Sequence, residues 1–149
     1  MSVSYDVFID AFLNKIDERK LISLPSGDRQ EIVTGYMARA ISGFKHICKY
    51  DLTSTRDDVN ERFNVDIPDS DIDEIIDIVS EGMVVQWLKP YTYRQELLEQ
   101  AINTRDFTTY SPAELLKQVG AAYEKTSKNY TNMIREYSYA NGNLTDLHL

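Results

Sequence analysis

Apolar residues recur along this chain at helical spacing, and breaks in that spacing divide it into five segments. In the first, Tyr5, Phe8, Ile9, Phe12, Leu13 and Ile16 follow an i, i+3, i+4, i+7 pattern that lines one face of a helix. Leu24-Pro25-Ser26-Gly27-Asp28 interrupts it. A second helix is predicted from about Asp28 to Cys48, with Ile32, Tyr36, Met37, Ala40, Ile41 and Phe44 on one side. Gly35 and Gly43 each weaken it by roughly 1 kcal/mol relative to alanine, unless they allow a close approach of helices. Residues 50–68 lack a clear period; Asp51-Leu52-Thr53-Ser54-Thr55 suits the cap of a short helix that Pro68 would stop.

Asp69 or Ser70 is the expected cap of a third helix, with acids in the first turn where the helix dipole favours them. Its core positions are Ile72, Ile75, Ile76, Val79, Met83 and Trp87, and Pro90 should end it near Leu88. A fourth, shorter helix is expected from Arg94 to about Thr104 around Leu97, Leu98, Ala101 and Ile102. After the linker Asp106-Phe107-Thr108-Thr109, Ser111-Pro112-Ala113-Glu114 reads as a capping box with proline at the first helical position. No proline follows, and apolar residues recur at Leu115, Leu116, Val119, Ala122, Tyr123, Met133, Ile134 and Tyr137. At 1.5 Å per residue, a helix from 112 to 137 would span roughly 39 Å, more than a small helical core needs. The distal part is therefore expected to project and meet another protein. Asn141-Gly142-Asn143 ends the helix. The reading is an all-α, single-domain bundle of about five helices over residues 1–140, with a flexible tail at 141–149. No alternating strand pattern and no internal repeat is evident.

Composition narrows the class. Hydrophobic content of 42% and charged content of 27% are those of an ordinary soluble domain. No run approaches 18 apolar residues, so no transmembrane helix is expected, and the N-terminus lacks the basic and apolar regions of a signal peptide. Cys48 is the only cysteine, which fits a reducing compartment. The net charge of −8 is unevenly placed: residues 51–81 hold eleven acids against Arg56 and Arg62, and the remainder is nearly neutral. That balance opposes gripping a nucleic-acid backbone, which needs clustered cations. It suits a surface that repels DNA, one that meets a basic partner, or a plain solvated face.

Few residues of the chain offer chemistry. His46 and Cys48, two apart on a predicted helix, point in different directions and form neither a nucleophile–base pair nor a zinc pattern. Asp69-Ser70-Asp71-Ile72-Asp73 resembles the opening of a calcium loop, but Glu74 stands where glycine is needed and Ser80 where glutamate is needed. No phosphate-binding glycine loop occurs. No catalytic residue, cofactor or metal is expected. Tyr123, Tyr130 and Tyr137, at seven-residue intervals, read either as packing within the bundle or as an interface stripe.

Three blocks carry a resemblance: Asp51-Leu52-Thr53 to Asp57-Asp58, Met83-Val84-Val85-Gln86-Trp87-Leu88-Lys89-Pro90, and Asp106 to Lys117. Their order and spacing resemble the small helical neck proteins of tailed bacteriophages, the head-to-tail connectors or adaptors, over roughly residues 5–137. The resemblance implies a structural virion protein assembled in the host cytoplasm. Neighbouring copies would form a ring, commonly of twelve, beneath the portal protein. The ring would extend the DNA channel and receive a tail or second neck protein, with DNA passing nearby without specific binding and no membrane involved. It implies no catalytic residues. On this reading the candidate partner interface is Tyr130, Met133, Ile134 and Tyr137 with the tail residues Leu144, Leu147 and Leu149. The candidate channel-facing acids are Asp57, Asp58, Glu61, Asp69 and Asp71. Two alternatives stand beside it: a cytosolic helical adaptor or regulatory module binding through its last helix, and a small enzyme using the 51–81 acids with a divalent ion.

Overall fold

One helix, buried on nearly every side over its C-terminal half, organises the architecture. The computed structural model describes residues 2–19, 29–92 and 112–141. The elements are β1 (Val3–Ser4), α1 (Tyr5–Arg19), α2 (Arg29–Phe44), β2 (Arg56–Asp57), β3 (Arg62–Phe63), α3 (Asp69–Leu88), a 3₁₀ turn (Lys89–Thr92) and α4 (Pro112–Asn141). The described chain is mostly helical. The expected helix at 94–104, the linker at 106–109, Ser111 and the tail with Leu144, Leu147 and Leu149 lie outside the described residues.

α3 packs against α1, α2 and α4 and is the axis of the domain. The spacing predicted a single buried stripe, but Ile78, Val84, Val85 and Leu88 are buried together with Ile75, Val79, Met83 and Trp87. From Ile78 on, every residue of α3 but Gln86 is buried, and a stretch apolar nearly all round belongs inside, whereas Asp73, Glu74 and Asp77 keep one side of its first half in water. Of the expected core, Phe8, Phe12, Ile41, Phe44, Val79 and Trp87 are buried, while Ile76 and Leu116 are partly buried against them. Leu98 is outside the described residues.

α3 starts without the expected side-chain cap. Pro68 occupies the cap position, and its carbonyl accepts the Asp71 and Ile72 amides at 2.9 and 3.0 Å. Asp69 is thus the first helical residue, with Asp71 beside it in the turn where the dipole favours acids. Pro90 follows the end of α3 at Leu88, as its missing N–H requires. α2 stops at Phe44, four residues before Cys48, and the Phe44 carbonyl accepts both the Ile47 and Cys48 amides at 3.0 Å.

Residues 50–68 form a turn and a small sheet in place of the expected short helix. Asp51 Oδ1 accepts the Thr53 and Ser54 amides at 2.9 Å each, which diverts the backbone into an Asx turn. β2 and β3 then pair antiparallel, and β1 adds to β3, in the order β1-β3-β2. Two-residue strands are too short to show an alternating pattern, so periodicity does not reveal them. Phe63 fixes this sheet to the helices. It is fully buried, with its ring 4.9 Å from Tyr5 and 5.6 Å from Phe8.

α4 runs for 30 residues, about 45 Å. Leu116, Val119, Tyr123, Thr126, Tyr130, Met133 and Tyr137 alternate three and four apart and are all buried or half-buried. The stripe is used along its length by this chain's own core, so the expected projection of the distal half is corrected. Tyr137, only 2% exposed, meets Phe44 edge-on at 5.0 Å, and its hydroxyl accepts the Lys49 amide at 3.0 Å.

Candidate interaction surfaces

Tyr130 shows why the last helix faces inward. Ala40 and Gly43 on α2 and Gly82 on α3 leave a notch that its ring fills; a Cβ on Gly82 would lie 2.7 Å from the ring and 2.8 Å from Ala40 Cβ. The Tyr130 hydroxyl donates to the Ala40 carbonyl at 2.7 Å, and burial pushes its pKa up to about 12. Met133 and Ile134 pack half-buried against the same core. The four helical members of the expected partner interface are therefore covered, wholly or in part, by their own chain. Tyr137 is buried within the chain and Tyr130, Met133 and Ile134 are partly so, a distinction that the spacing of an apolar helix face does not encode. Tyr139, 58% exposed, is the large apolar residue that this helix leaves outside among its described side chains.

The expected channel acids fall on two elements. Asp57, Asp58 and Glu61 sit on the β2–β3 hairpin, and Asp69 and Asp71 on the first turn of α3. Most of them perform local structural tasks. Asp57 accepts the Val59 and Asn60 amides at 3.1 and 3.2 Å and the Asn60 side-chain amide at 2.8 Å, and the Asn60 hydrogen bonds hold its carboxyl below the usual range. Asp58 Oδ1 accepts Arg56 Nε and the Tyr5 hydroxyl, both at 2.7 Å, and those bonds, Arg56's first, lower its pKa. Tyr5 is pushed up to about 12, by burial first and then by Asp58. Asp71 accepts the Tyr50 hydroxyl, and this hydrogen bond is the main reason that Tyr50 is pushed up to about 12. Glu61 and Asp69 remain exposed. Glu61 has a φ of 53°, a left-handed conformation uncommon for a side-chain-bearing residue, and its carbonyl accepts the Tyr5 amide at 3.0 Å.

Other polar residues join α1 to α3. Lys15 Nζ contacts Asp77 Oδ1 at 2.8 Å and Glu81 Oε2 at 3.0 Å, which pairs the charge of the buried Glu81 with an opposite one. The spacing of apolar residues gave no sign of this pair. Cys48 is half-buried in the turn after α2, and burial pushes its thiol up, away from the reactive thiolate. Among the described residues no group of three or more His, Cys, Asp and Glu is arranged to hold a metal ion. None of the described helices is long and apolar enough to cross a membrane.

Two clefts lie among the described residues. One, of about 270 Å³, lies between α3 and α4 and is lined by Glu74, Asp77, Ile78, Met133, Glu136 and Ala140. The other, of about 230 Å³, has an apolar floor of Met37, Ile41 and Leu52 with Lys45 and Arg56 at its edge. Both are below the roughly 300–1,000 Å³ of most small-molecule sites. Both are closer in scale to side-chain docking than to enclosing a substrate. The chain matches no protein-family model, no curated protein and no solved structure.

Proposed function

We propose that this chain is a non-catalytic structural protein of a tailed-phage neck, one subunit of a ring that joins portal to tail and extends the DNA channel. The observation that carries the reading is the run of three sequence blocks, Asp51 to Asp58, Met83 to Pro90 and Asp106 to Lys117, in the order and spacing of head-to-tail connectors. The fold is compatible with that role. The second block forms the end of the central helix and the turn after it, and the first forms the Asx turn and hairpin, both scaffold elements. The acidic 51–81 segment suits a surface past which DNA slides, because backbone phosphates would find few cations to hold them. The adaptor alternative relied on a free apolar stripe along the last helix, and that stripe is largely occupied inside the domain.

The test is assembly with a phage portal protein, should one be encoded near this chain. The two purified proteins, mixed and imaged by electron microscopy, should form annular complexes with this chain as an added layer. Absence of any such layer, together with absence of the chain from mature particles, would overturn the reading.

A further inference from the structure

The tip of the β2–β3 hairpin carries an unusual side chain for its surroundings. Val59 is 92% exposed, in a loop whose other members are Asp58, Asn60 and Glu61. The loop is held rigidly: Asp57 accepts two loop amides, β3 pairs with strands on both sides, and Tyr5 binds Asp58 and the Glu61 carbonyl. A preordered apolar knob loses little conformational entropy on docking. Asp57 and Asp58 lie close to Arg62 and Arg56 of the same hairpin, while Glu61 beside the knob is exposed and forms no ion pair with a described residue.

The cleft beside α2 has the complementary character. Its floor of Met37, Ile41 and Leu52 is apolar, its volume of about 230 Å³ has room for an aliphatic side chain, and Lys45 gives its rim positive charge, Arg56 being bonded to Asp58. Between Ile32 and Tyr50 the chain contains Arg39, Lys45, His46 and Lys49 and no acid, which makes this end of α2 the basic pole of an acidic protein. Lys45 forms no ion pair with a described residue.

We infer that two copies of this chain associate by seating Val59 of one in the Met37–Ile41–Leu52 cleft of the other, with Lys45 facing the acids of the incoming loop. An apolar knob beside an exposed acid and an apolar cleft with a lysine at its rim occur in one sequence, which favours a second copy over an unrelated partner. One such contact is small, and repetition around a closed assembly would strengthen it by multivalency. The inference does not depend on the neck assignment, since a protein in any setting can self-associate this way.

Sedimentation of the purified chain over a concentration series reads the contact directly. The wild type should associate reversibly, and Val59→Asp should weaken association about tenfold or more while leaving the circular dichroism spectrum unchanged, as the side chain lies in solvent. Lys45→Glu should weaken it as well, and adding Glu61→Lys in the same chain should restore part of the loss. A crosslink distinguishes this contact from any other: Val59→Cys and Ser42→Cys, each in a Cys48→Ser background, should on mixing form a mixed disulfide in preference to either homodimer. A wild type that stays monomeric throughout, association indifferent to Val59→Asp, or a random crosslink distribution would each overturn the inference. None of those outcomes bears on assembly with a portal, which the ring experiment reads separately.

Discussion

Two buried polar atoms make opposite demands at the scale of single residues. Thr126 on α4 is fully buried, and its Oγ1 has no hydrogen-bond partner among the described residues. A buried hydroxyl without a partner costs about 1–3 kcal/mol, so Thr126→Val, which keeps the branched shape and removes the hydroxyl, should stabilise the domain by about 1 kcal/mol. Trp87 also buries an unpartnered Nε1, but its indole fills the centre of the core, edge-on to Phe12 at 6.3 Å. Packing outweighs the polar cost there: Trp87→Ala should lose about 3–5 kcal/mol, whereas Trp87→Phe should lose less because it removes the stranded N–H. Urea unfolding of the three variants measures all of this. An unchanged midpoint in Trp87→Ala would place the indole outside the core. Trp87 was legible in the sequence because it falls in register with Ile76, Val79 and Met83, whereas the burial of Thr126 was not, since a threonine on a polar-looking turn gives no sign of which way it faces.

Helix boundaries came through well in the sequence where a proline marks them. Pro68 and Pro90 bracket α3, and both ends lie where the missing N–H predicts. Relations between helices came through poorly. Gly35 and Gly43 look alike in sequence, yet a Cβ on Gly35 meets nothing within 4 Å, while one on Gly43 would lie 2.8 Å from the Tyr130 hydroxyl. Gly35→Ala should therefore gain most of the helix-propensity difference, about 0.5–1 kcal/mol. Gly82→Ala should instead destabilise by about 1–3 kcal/mol, because the ring of Tyr130 and the methyl of Ala40 cannot both give way in a packed core. Thermal melts of the two variants should shift in opposite directions, and a stabilised Gly82→Ala would refute the close α2–α3–α4 junction. The same limit applies to Tyr130 and Tyr137, which pack against their own chain, Tyr137 fully and Tyr130 in part. A heptad-spaced aromatic stripe states that something covers it, and only three-dimensional packing states that the cover is Ala40, Gly43, Phe44 and Gly82. The small sheet escaped notice because its strands, two residues each, are shorter than any period.

The whole molecule should lose stability at both extremes of pH. Asp51, Asp57 and Asp58 all titrate below the usual carboxylate range, held there by hydrogen bonds from Ser54, Asn60 and Arg56 respectively. Depressed carboxyls stabilise the fold above their unfolded values, near 4, and that contribution disappears as pH falls through their lower folded values. Tyr5, Tyr50 and Tyr130 are raised to about 12, so their contribution is complete below an unfolded value near 10 and is lost between about 10 and 12. Tyr130→Phe should flatten the alkaline limb, and a limb unchanged in that variant would remove Tyr130 from the account. The same geometry determines how the proposed channel must be tested. Asp57 and Asp58 hold the hairpin, so replacing them with lysine would confound charge with folding. Asp66 and Asp69 are exposed and have no hydrogen bonds of this kind to lose. Asp66→Lys should leave stability within about 0.5 kcal/mol, as surface changes usually do, whereas Asp69→Lys, in the first turn of α3, should cost about 1 kcal/mol through the helix dipole without unfolding the domain. In particles these lysines should slow DNA packaging or ejection, since each new cation would hold a passing phosphate, and the defect should shrink as salt rises and screens the contact. Packaging at the wild-type rate at every salt concentration would mean that this acidic face never meets DNA, leaving solvation as its role.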